Sequence, residues 1–201
     1  MNEILRMKMT QLNENLLRKF KKKYNIILFG SGRSGTSITG ELFEHLDEFN
    51  YMFEDHLENL PPNTILDTDK RVAIKLPKGG PYLTSGLAID MDALMERFNN
   101  PVKIIWIVRN PLDTICSLRP GIEQDWSHHP RPPKYENLLN KPWHIKGAHH
   151  WNYINSIGFE SASKYATVLV IKYEDLIDNP ERTVSRILKY VNSSKNIKDL
   201  E

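Results

Sequence analysis

The chain has 201 residues, of which 40% are hydrophobic and 26% charged, and its formal net charge is +2. That length suits one α/β domain with a real core and is too short for two ordinary domains. The composition is typical of a soluble protein rather than a disordered or membrane-spanning one, and the small net charge gives no indication of a nucleic-acid partner. The single cysteine excludes an intramolecular disulfide, and no signal-peptide pattern begins the chain, so we expect a cytoplasmic protein.

Residues 1–24 are predicted to form an N-terminal basic helix ahead of a single domain that spans residues 25–201. Leucines recur at positions 5, 12, 16 and 17, and a basic run follows them. Lysines in the last turn of a helix complement its dipole, so a solvated helix end is the favoured interpretation. Contact with an acidic surface, or electrostatic steering of a nucleotide, stays open as the alternative.

The first predicted strand leads into a glycine-rich loop. Residues 26–29 are all apolar, which is typical of a buried parallel strand, and residues 30–37 contain three glycines, four hydroxyl residues and one arginine. Such a loop turns its N–H groups inward and, with a helix that begins near Gly35, suits a phosphate or sulfate. The glycine spacing matches the nucleoside-triphosphate P-loop, but Thr36 replaces its lysine and the positive charge lies at Arg33. A glycine-rich turn without a ligand is the alternative.

Four more elements are predicted before residue 100. Apolar residues at helical spacing predict a helix from about 35 to 48 that packs against the sheet. Its buried stripe is predicted to consist of Ile38, Leu42, Phe43 and Leu46. Residues 51–56 are predicted to be a short extended segment, residues 71–77 a second core strand that stops at Pro77, and residues 90–98 a helix.

The clearest strand is predicted at residues 102–108, which are almost wholly apolar and therefore central in a sheet. It leads into Arg109 and a helix that Pro111 opens. The buried face of this helix is predicted to contain Leu112, Ile115 and Leu118. Cys116 on the same helix is predicted to be a small buried side chain rather than a nucleophile.

The last third of the chain begins with a change of composition. Residues 119–146 lack periodicity and are predicted to be an irregular loop, either functional or an ordinary surface segment. A helix over residues 147–164, a strand over residues 167–171 and a last helix from Pro180 are predicted to follow. The paired histidines at 128–129 and 149–150 are adjacent rather than three or four apart, so no metal site is predicted.

Strands that alternate with helices predict a three-layer α/β fold, with a mainly parallel sheet of about four to five strands and helices on both faces. Ligands of such sheets bind at the carboxyl ends of the strands. The glycine-rich loop, Lys75 and Arg109 are all predicted to lie there, and Ser117 is placed to share an anion with Arg109. Two anion sites are therefore expected. In the alternative, Arg109 forms only a salt bridge with Asp113 or Glu174.

Three motifs resemble the sulfotransferases that use 3′-phosphoadenosine 5′-phosphosulfate (PAPS). Residues 33–37, Arg-Ser-Gly-Thr-Ser, resemble the family's 5′-phosphosulfate loop in the arginine-containing form of tyrosylprotein sulfotransferases. Residues 109–113, Arg-Asn-Pro-Leu-Asp, with Ser117 four residues later, are similar to its 3′-phosphate motif. Residues 173–176, Tyr-Glu-Asp-Leu, resemble a segment of bacterial-type members. The resemblance covers residues 25–191 and implies a P-loop NTPase-like fold.

The resemblance also implies where the donor binds. The 5′-phosphate and the sulfuryl group would lie in the glycine-rich loop, and Arg109 and Ser117 would bind the 3′-phosphate. The loop residues concerned are Ser31, Gly32, Arg33, Ser34, Gly35, Thr36 and Ser37.

The same resemblance implies three catalytic residues. Glu54 lies close to the position of the catalytic glutamate in tyrosylprotein sulfotransferases and is the predicted base, with Asp55 and His56 as rivals. Lys75 stands where many cytosolic members have a catalytic histidine, but a protonated lysine is not a base. Lys75 is therefore predicted to stabilise the transferring group, and Arg33 is predicted to stabilise the leaving phosphate oxygen. A surface role for Glu54, in capping or ion pairing, is the alternative.

The predicted function is transfer of a sulfuryl group from PAPS to a hydroxyl or amine by in-line displacement, with PAP as the product and without a metal. The acceptor is expected to be a small molecule, carbohydrate, lipid or peptide. Two alternatives stay open: a P-loop kinase-like phosphotransferase, and a non-catalytic nucleotide-binding scaffold of the same fold.

Overall fold

Five parallel strands form the centre of the molecule, in the order β2-β3-β1-β4-β5. This computed structural model describes residues 23–53, 56, 59–66, 69–76, 90–124, 132 and 134–200. The strands are β1 (Asn25–Gly30), β2 (Phe49–Phe53), β3 (Arg71–Lys75), β4 (Val102–Val108) and β5 (Val168–Lys172). The predicted α/β fold with four to five parallel strands is confirmed.

Helices cover both faces of the sheet. They are α1 (Thr36–Glu44), α2 (Met91–Met95), α3 (Pro111–Glu123), α4 (Trp143–Tyr153), α5 (Phe159–Ser163), α6 (Tyr173–Asp178) and α7 (Pro180–Tyr190). A π-helical turn, Ile154–Gly158, joins α4 to α5, and 3₁₀ turns lie at Tyr135–Leu138 and Ile197–Asp199. In the described part of the chain, none of these helices has the length and apolarity that a membrane span requires.

The core has two halves because side chains of a strand alternate between the faces of the sheet. Ile27, Phe29 and Trp106 point into one half, which the π turn and helices α2, α4 and α5 cover. Ile26 and Leu28 point into the other half, which α1 and α7 cover. The result is the predicted three-layer arrangement.

The order of the strands fixes where a ligand site can form. From β1 the chain goes first to β2 and β3 on one side, and later to β4 and β5 on the other. The crevice between the loops after β1 and β4 is therefore the topological switch point of the sheet. Both loops that the sequence singled out begin there.

Three residues that were predicted to be buried are exposed. Ile38 and Leu112 have exposed fractions of 46% and 72%, and Cys116 is exposed as well. Ile38 and Leu112 both lie in the first turn of a helix at the carboxyl edge of the sheet, beyond the layer that covers the core. Four of the other predicted members, Phe43, Leu46, Ile115 and Leu118, are buried, and Leu42 is partly buried.

Several predicted boundaries were wrong. Strand β2 begins at Phe49 and ends at Phe53, earlier than the predicted segment 51–56. The predicted irregular loop at 119–146 overlaps α3, which extends through Pro120 to Glu123, and α4, which begins at Trp143. Most of the predicted N-terminal helix, Pro77 and the middle of the 119–146 segment lie outside the described residues.

Two cations hold the end of α7 at the amino edge of the sheet. Buried Arg71 donates from Nη1 to the Val191 carbonyl oxygen over 2.6 Å and pairs with Glu48. Lys103 donates from Nζ to the Tyr190 carbonyl oxygen over 2.6 Å and lies over the Tyr190 ring. Burial, and then the nearby Arg71, lower the pKa of Lys103, whereas burial raises the pKa of Tyr190.

Candidate functional site

The glycine-rich loop (residues 30–37) has a conformation that its sequence permits. Arg33 and Gly35 have φ angles of 66° and 97°, in the left-handed region that glycine adopts most readily. The buried Ser34 hydroxyl donates to the Ser31 carbonyl oxygen over 2.6 Å, and the Ser34 N–H reaches the same oxygen over 3.2 Å. Ser31 is buried as well. These two serines therefore stabilise the turn from within.

Helix α1 begins at Thr36, so the last two residues of this loop form the start of the helix. Gly35 occupies the position before its first residue, and no side chain caps the helix there. A capless helix of nine residues presents free N–H groups and the positive end of its dipole at its amino end. Both features favour an anion beside Thr36 and Ser37.

Arg109, which follows β4, lies against the glycine-rich loop. Its Nη1 donates to the Arg33 carbonyl oxygen over 3.3 Å, and its guanidinium carbon lies 4.7 Å from the centre of the Tyr173 ring. Among the described residues no carboxylate pairs with Arg109, and Glu174 accepts a hydrogen bond from the Asn110 N–H instead. The buried Nε of Arg109 has no hydrogen-bond partner. Because only one Nη N–H is bonded, the other Nη N–H groups of Arg109 remain available for an anion.

Ser117 connects the two motifs. The Arg33 Nε donates to the Ser117 Oγ over 3.1 Å, so the loop after β1 is bonded to the helix after β4. The hydroxyl proton of Ser117 is left to donate elsewhere, because its oxygen acts as the acceptor here. Ser117 thus lies beside the Arg33 guanidinium and lines the same cavity as Arg109.

These residues surround one cavity of about 250 Å³, which we call the donor cavity. Two guanidinium groups, four hydroxyl groups and the start of α1 line it, and no carboxylate lines it among the residues that the structure describes. The described residues that line it are Arg33, Gly35, Thr36, Ser37, Ile38, Arg109, Ser117 and Tyr173. A concentration of donors and positive charge without an acid suits a ligand with several negative charges.

A family model, the sulfotransferase domain, matches residues 23–200 of this chain. The chain belongs to the sulfotransferase domain family. The predicted resemblance to sulfotransferases is therefore confirmed at the level of the family. A comparison with curated protein sequences gives no match.

Solved sulfotransferases share the fold. The mouse sulfotransferase SULT7A1, crystallised in complex with PAP, is 19% identical with a TM-score of 0.55, over 89% of this chain and 62% of that chain. The sulfotransferase domain of the curacin biosynthetic pathway is 16% identical with a TM-score of 0.58, over 88% of this chain and 76% of that chain. The sulfotransferase domain of the Synechococcus PCC 7002 olefin synthase is 15% identical with a TM-score of 0.54, over 90% and 78%. This chain thus spans less than two thirds of the mouse protein's length.

Lys75 of this sulfotransferase domain lies at the end of β3 beside the glycine-rich loop. Its Nζ donates to the Ser37 Oγ over 3.1 Å and lies 5.1 Å from the centre of the Phe53 ring. The side chain is buried, with an exposed fraction of 7%. A positive charge therefore lies next to the end of the loop, on the side of the site opposite to Arg109, since β3 and β4 flank β1.

Of the three residues considered for the base, only His56 lies within the described residues; Glu54 and Asp55 do not. The Nδ1 of His56 accepts the Phe53 N–H over 3.1 Å, and the two rings are in contact. An imidazole whose Nδ1 is an acceptor carries its proton on Nε2. In this arrangement His56 has no free lone pair with which to take a proton, which disfavours it as the base.

The structure brings together only part of the predicted donor site. Arg33, Gly35, Thr36, Ser37, Arg109 and Ser117 line the donor cavity, whereas Ser31, Gly32 and Ser34 do not. Tyr173 is a lining residue that the residue-level prediction missed, and its ring fills the space where a Cβ on Gly35 would lie. Its position directly after β5 could have indicated that Tyr173 lies near Arg109, because β5 is next to β4 in the sheet.

Among the residues that the structure describes, no three histidine, cysteine or acidic side chains come close enough together to hold a metal ion. A metal-free reaction stays a prediction.

Proposed function

We propose that this protein transfers a sulfuryl group from PAPS to a hydroxyl or amine acceptor. The observation that carries the proposal is the donor cavity, in which Arg33 and Arg109 converge at the start of α1 and, within the described part of the chain, no carboxylate is among the lining residues. PAPS has two separate anionic groups, and the cavity has two guanidinium groups to match them. Membership of the sulfotransferase domain family supports the same reaction.

We assign the 5′-phosphosulfate to the glycine-rich loop and the 3′-phosphate to Arg109 and Ser117. The Nη groups of Arg109, of which one N–H is used by the Arg33 carbonyl oxygen, and the Ser117 hydroxyl proton are donors that a phosphate would satisfy. Thr36 and Ser37, at the first turn of α1, provide backbone N–H groups and hydroxyls for the other anion. Ser31, Gly32 and Ser34 act by shaping the loop.

The reaction needs positioning and charge stabilisation rather than covalent catalysis. An activated sulfuryl group is supplied by the bound donor. Arg33 stabilises the negative charge that develops on the leaving phosphate oxygen, and Lys75 stabilises the transferring group. Glu54 accepts the proton of the acceptor as the new bond to sulfur forms and the bond from sulfur to the phosphate oxygen breaks. Charge and protons balance without a metal or a redox partner.

The test is transfer of radiolabelled sulfuryl groups from PAPS to a panel of hydroxylated lipids, sugars, peptides and small phenols. The protein is expected to label at least one acceptor class, and Arg33→Ala is expected to lower the rate. If PAP binds and no class is labelled, the scaffold alternative replaces this proposal. If phosphoryl groups move from ATP in the presence of Mg²⁺ instead, the kinase-like alternative replaces it.

A further inference from the structure

The peptide group between Arg109 and Asn110 is held at both ends by side chains. The indole Nε1 of Trp151 donates to the Arg109 carbonyl oxygen over 3.3 Å, and Glu174 Oε1 accepts the Asn110 N–H over 2.7 Å. Trp151 lies in α4 and Glu174 in α6, so two separate helices fix one peptide plane. The orientation of that plane determines where the Arg109 side chain leaves the backbone.

Trp151 is itself fixed by the π-helical turn that follows α4. The Asn155 Nδ2 donates to the Trp151 carbonyl oxygen over 2.9 Å, and the Asn155 Oδ1 accepts the indole N–H of Trp106 over 3.0 Å. Trp106 is fully buried in β4, three residues before Arg109. The hydrogen bonds thus lead from the buried part of β4, through the π turn, to the residue just after the end of the same strand.

This arrangement is more specific than core packing requires. Single π turns inside α-helices are rare and are frequently found at functional sites. Here the turn places Asn155 where one amide both accepts from Trp106 and donates to Trp151. The Arg109 guanidinium, at the end of this set of contacts, is half-buried and lines the donor cavity.

We infer that Trp151 and Glu174 are positioning residues for Arg109, and that they set the preference of the site for a nucleotide with a 3′-phosphate. The inference rests on the proposed function, since it assigns the 3′-phosphate to Arg109. Neither residue is among those that line the donor cavity, so their effect acts through the 109–110 peptide group. The 5′ group is assigned to the glycine-rich loop, to which Arg109 donates one hydrogen bond, so Trp151 and Glu174 are expected to affect the 5′ group less than the 3′-phosphate.

The test compares the affinities of PAP and adenosine 5′-monophosphate, which differ only in the 3′-phosphate. The dissociation constant of adenosine 5′-monophosphate divided by that of PAP measures the preference for that group. Trp151→Phe keeps an aromatic ring and removes the N–H, so it is expected to lower the ratio about three- to tenfold, the effect of one neutral hydrogen bond. The affinity for adenosine 5′-monophosphate is expected to change less than the affinity for PAP.

Two further sets of variants separate positioning from general stability. Trp143→Phe alters another tryptophan of α4, which contacts Arg119 rather than the 109–110 peptide, and is expected to leave the ratio unchanged. Glu174→Ala removes the acceptor of the Asn110 N–H and is expected to lower the ratio, whereas Glu174→Gln keeps an acceptor oxygen and is expected to restore most of it. If Trp151→Phe does not fold, the comparison of Glu174→Ala with Glu174→Gln still tests the inference.

The inference is overturned if Trp151→Phe and Glu174→Ala both keep the wild-type ratio, or if they weaken both nucleotides equally. Failure of the proposed function has a different signature. In that case the unmodified protein itself does not prefer PAP over adenosine 5′-monophosphate.

Discussion

The Arg33 Nε donates a hydrogen bond to the Ser117 Oγ over 3.1 Å, although 84 residues separate the two in sequence. The bond joins the glycine-rich loop to α3 across the switch point of the sheet. A change at either residue is therefore expected to affect both halves of the proposed donor site.

Substitution of Ser117 tests this connection. Ser117→Ala removes the acceptor for Arg33 and a donor for the 3′-phosphate, so PAP is expected to bind about five- to tenfold more weakly, the effect of roughly 1 kcal/mol. Calorimetric titration measures the change. Cys116→Ala is the matched control, because Cys116 is the preceding residue of α3 and is exposed. Equal effects of the two substitutions would contradict a specific role for the Ser117 hydroxyl.

Arg33 is expected to act on turnover more than on folding. Arg33→Ala is expected to lower turnover about 10²- to 10³-fold, the usual cost of losing one preorganised electrostatic contact. The side chain is exposed, so the melting temperature is expected to stay within a few degrees of the wild-type value. Arg33→Lys keeps the charge without the planar guanidinium and is expected to recover part of the rate. Full activity of Arg33→Ala would remove it from the mechanism.

The two central glycines of the loop are expected to differ in their tolerance of a methyl group. Gly35→Ala forces a left-handed φ of 97° on alanine and drives its Cβ into the Tyr173 ring, so the free energy of unfolding is expected to fall by about 1–3 kcal/mol. Gly32→Ala places its Cβ 3.7 Å from Leu118 Cδ2, an ordinary contact, and is expected to be nearly neutral for stability. Urea denaturation compares them, and equal stabilities would show that the described loop conformation is incorrect.

Glu54 is expected to matter more for turnover than His56. Glu54→Gln removes the proposed base and is expected to cost about 10²- to 10⁴-fold in rate. His56→Asn keeps an acceptor for the Phe53 N–H and is expected to cost less than about tenfold, since the His56 Nδ1 is already engaged. Rates of labelled sulfuryl transfer decide between them. A large loss in His56→Asn with little loss in Glu54→Gln would reverse the assignment.

Stability at alkaline pH is expected to depend on Tyr190. Its hydroxyl donates to the Thr167 carbonyl oxygen over 2.6 Å, and burial raises its pKa, so the folded protein binds its proton more tightly than the unfolded chain does. This contribution is fully present below the pKa of an ordinary tyrosine, about 10, and is lost as the pH rises through the folded-state pKa. The lowered pKa of Lys103 contributes stability that rises with pH instead. Lys103 is present in the wild type and in the Tyr190→Phe variant alike, so it does not affect a comparison of the two.

The measurement is the free energy of unfolding in urea, followed from neutral pH to above pH ~10 for the wild type and Tyr190→Phe. The wild type is expected to lose stability more steeply with pH than the variant. Parallel slopes would mean that the ionisation of Tyr190 is not coupled to unfolding.

The main features of the fold and the donor site could be predicted because each depends on short stretches of sequence. β1 and β4 are consecutive apolar residues, as strands buried on both faces must be, and parallel pairing then brings their carboxyl ends together. The proximity of Arg33, Arg109 and Ser117 follows from that pairing. The exposure of Ile38 and Leu112 at the starts of α1 and α3 could not be predicted. Hydrophobic periodicity does not show where the layer of helices that covers the core ends.

Other features depend on tertiary contacts that the local sequence does not encode. The irregular segment was predicted to begin at residue 119, but Pro120 removes only a bond to the carbonyl of Cys116, which is an exposed residue, so α3 continues to Glu123. Helix α4 begins without an apolar stripe and is held by close packing of Gly147 on Ile115. The π turn and the contact of Tyr173 with Gly35 likewise become visible only in three dimensions.

The central claim is that the donor cavity binds a nucleotide with a 5′-phosphosulfate and a 3′-phosphate. Calorimetric titration of the protein with PAP in the absence of Mg²⁺ tests it most directly, with Arg109→Ala as the comparison. PAP is expected to bind without Mg²⁺ and more tightly than adenosine 5′-monophosphate, and Arg109→Ala is expected to abolish this preference. Absence of PAP binding, or a requirement for ATP and Mg²⁺ instead, would contradict it.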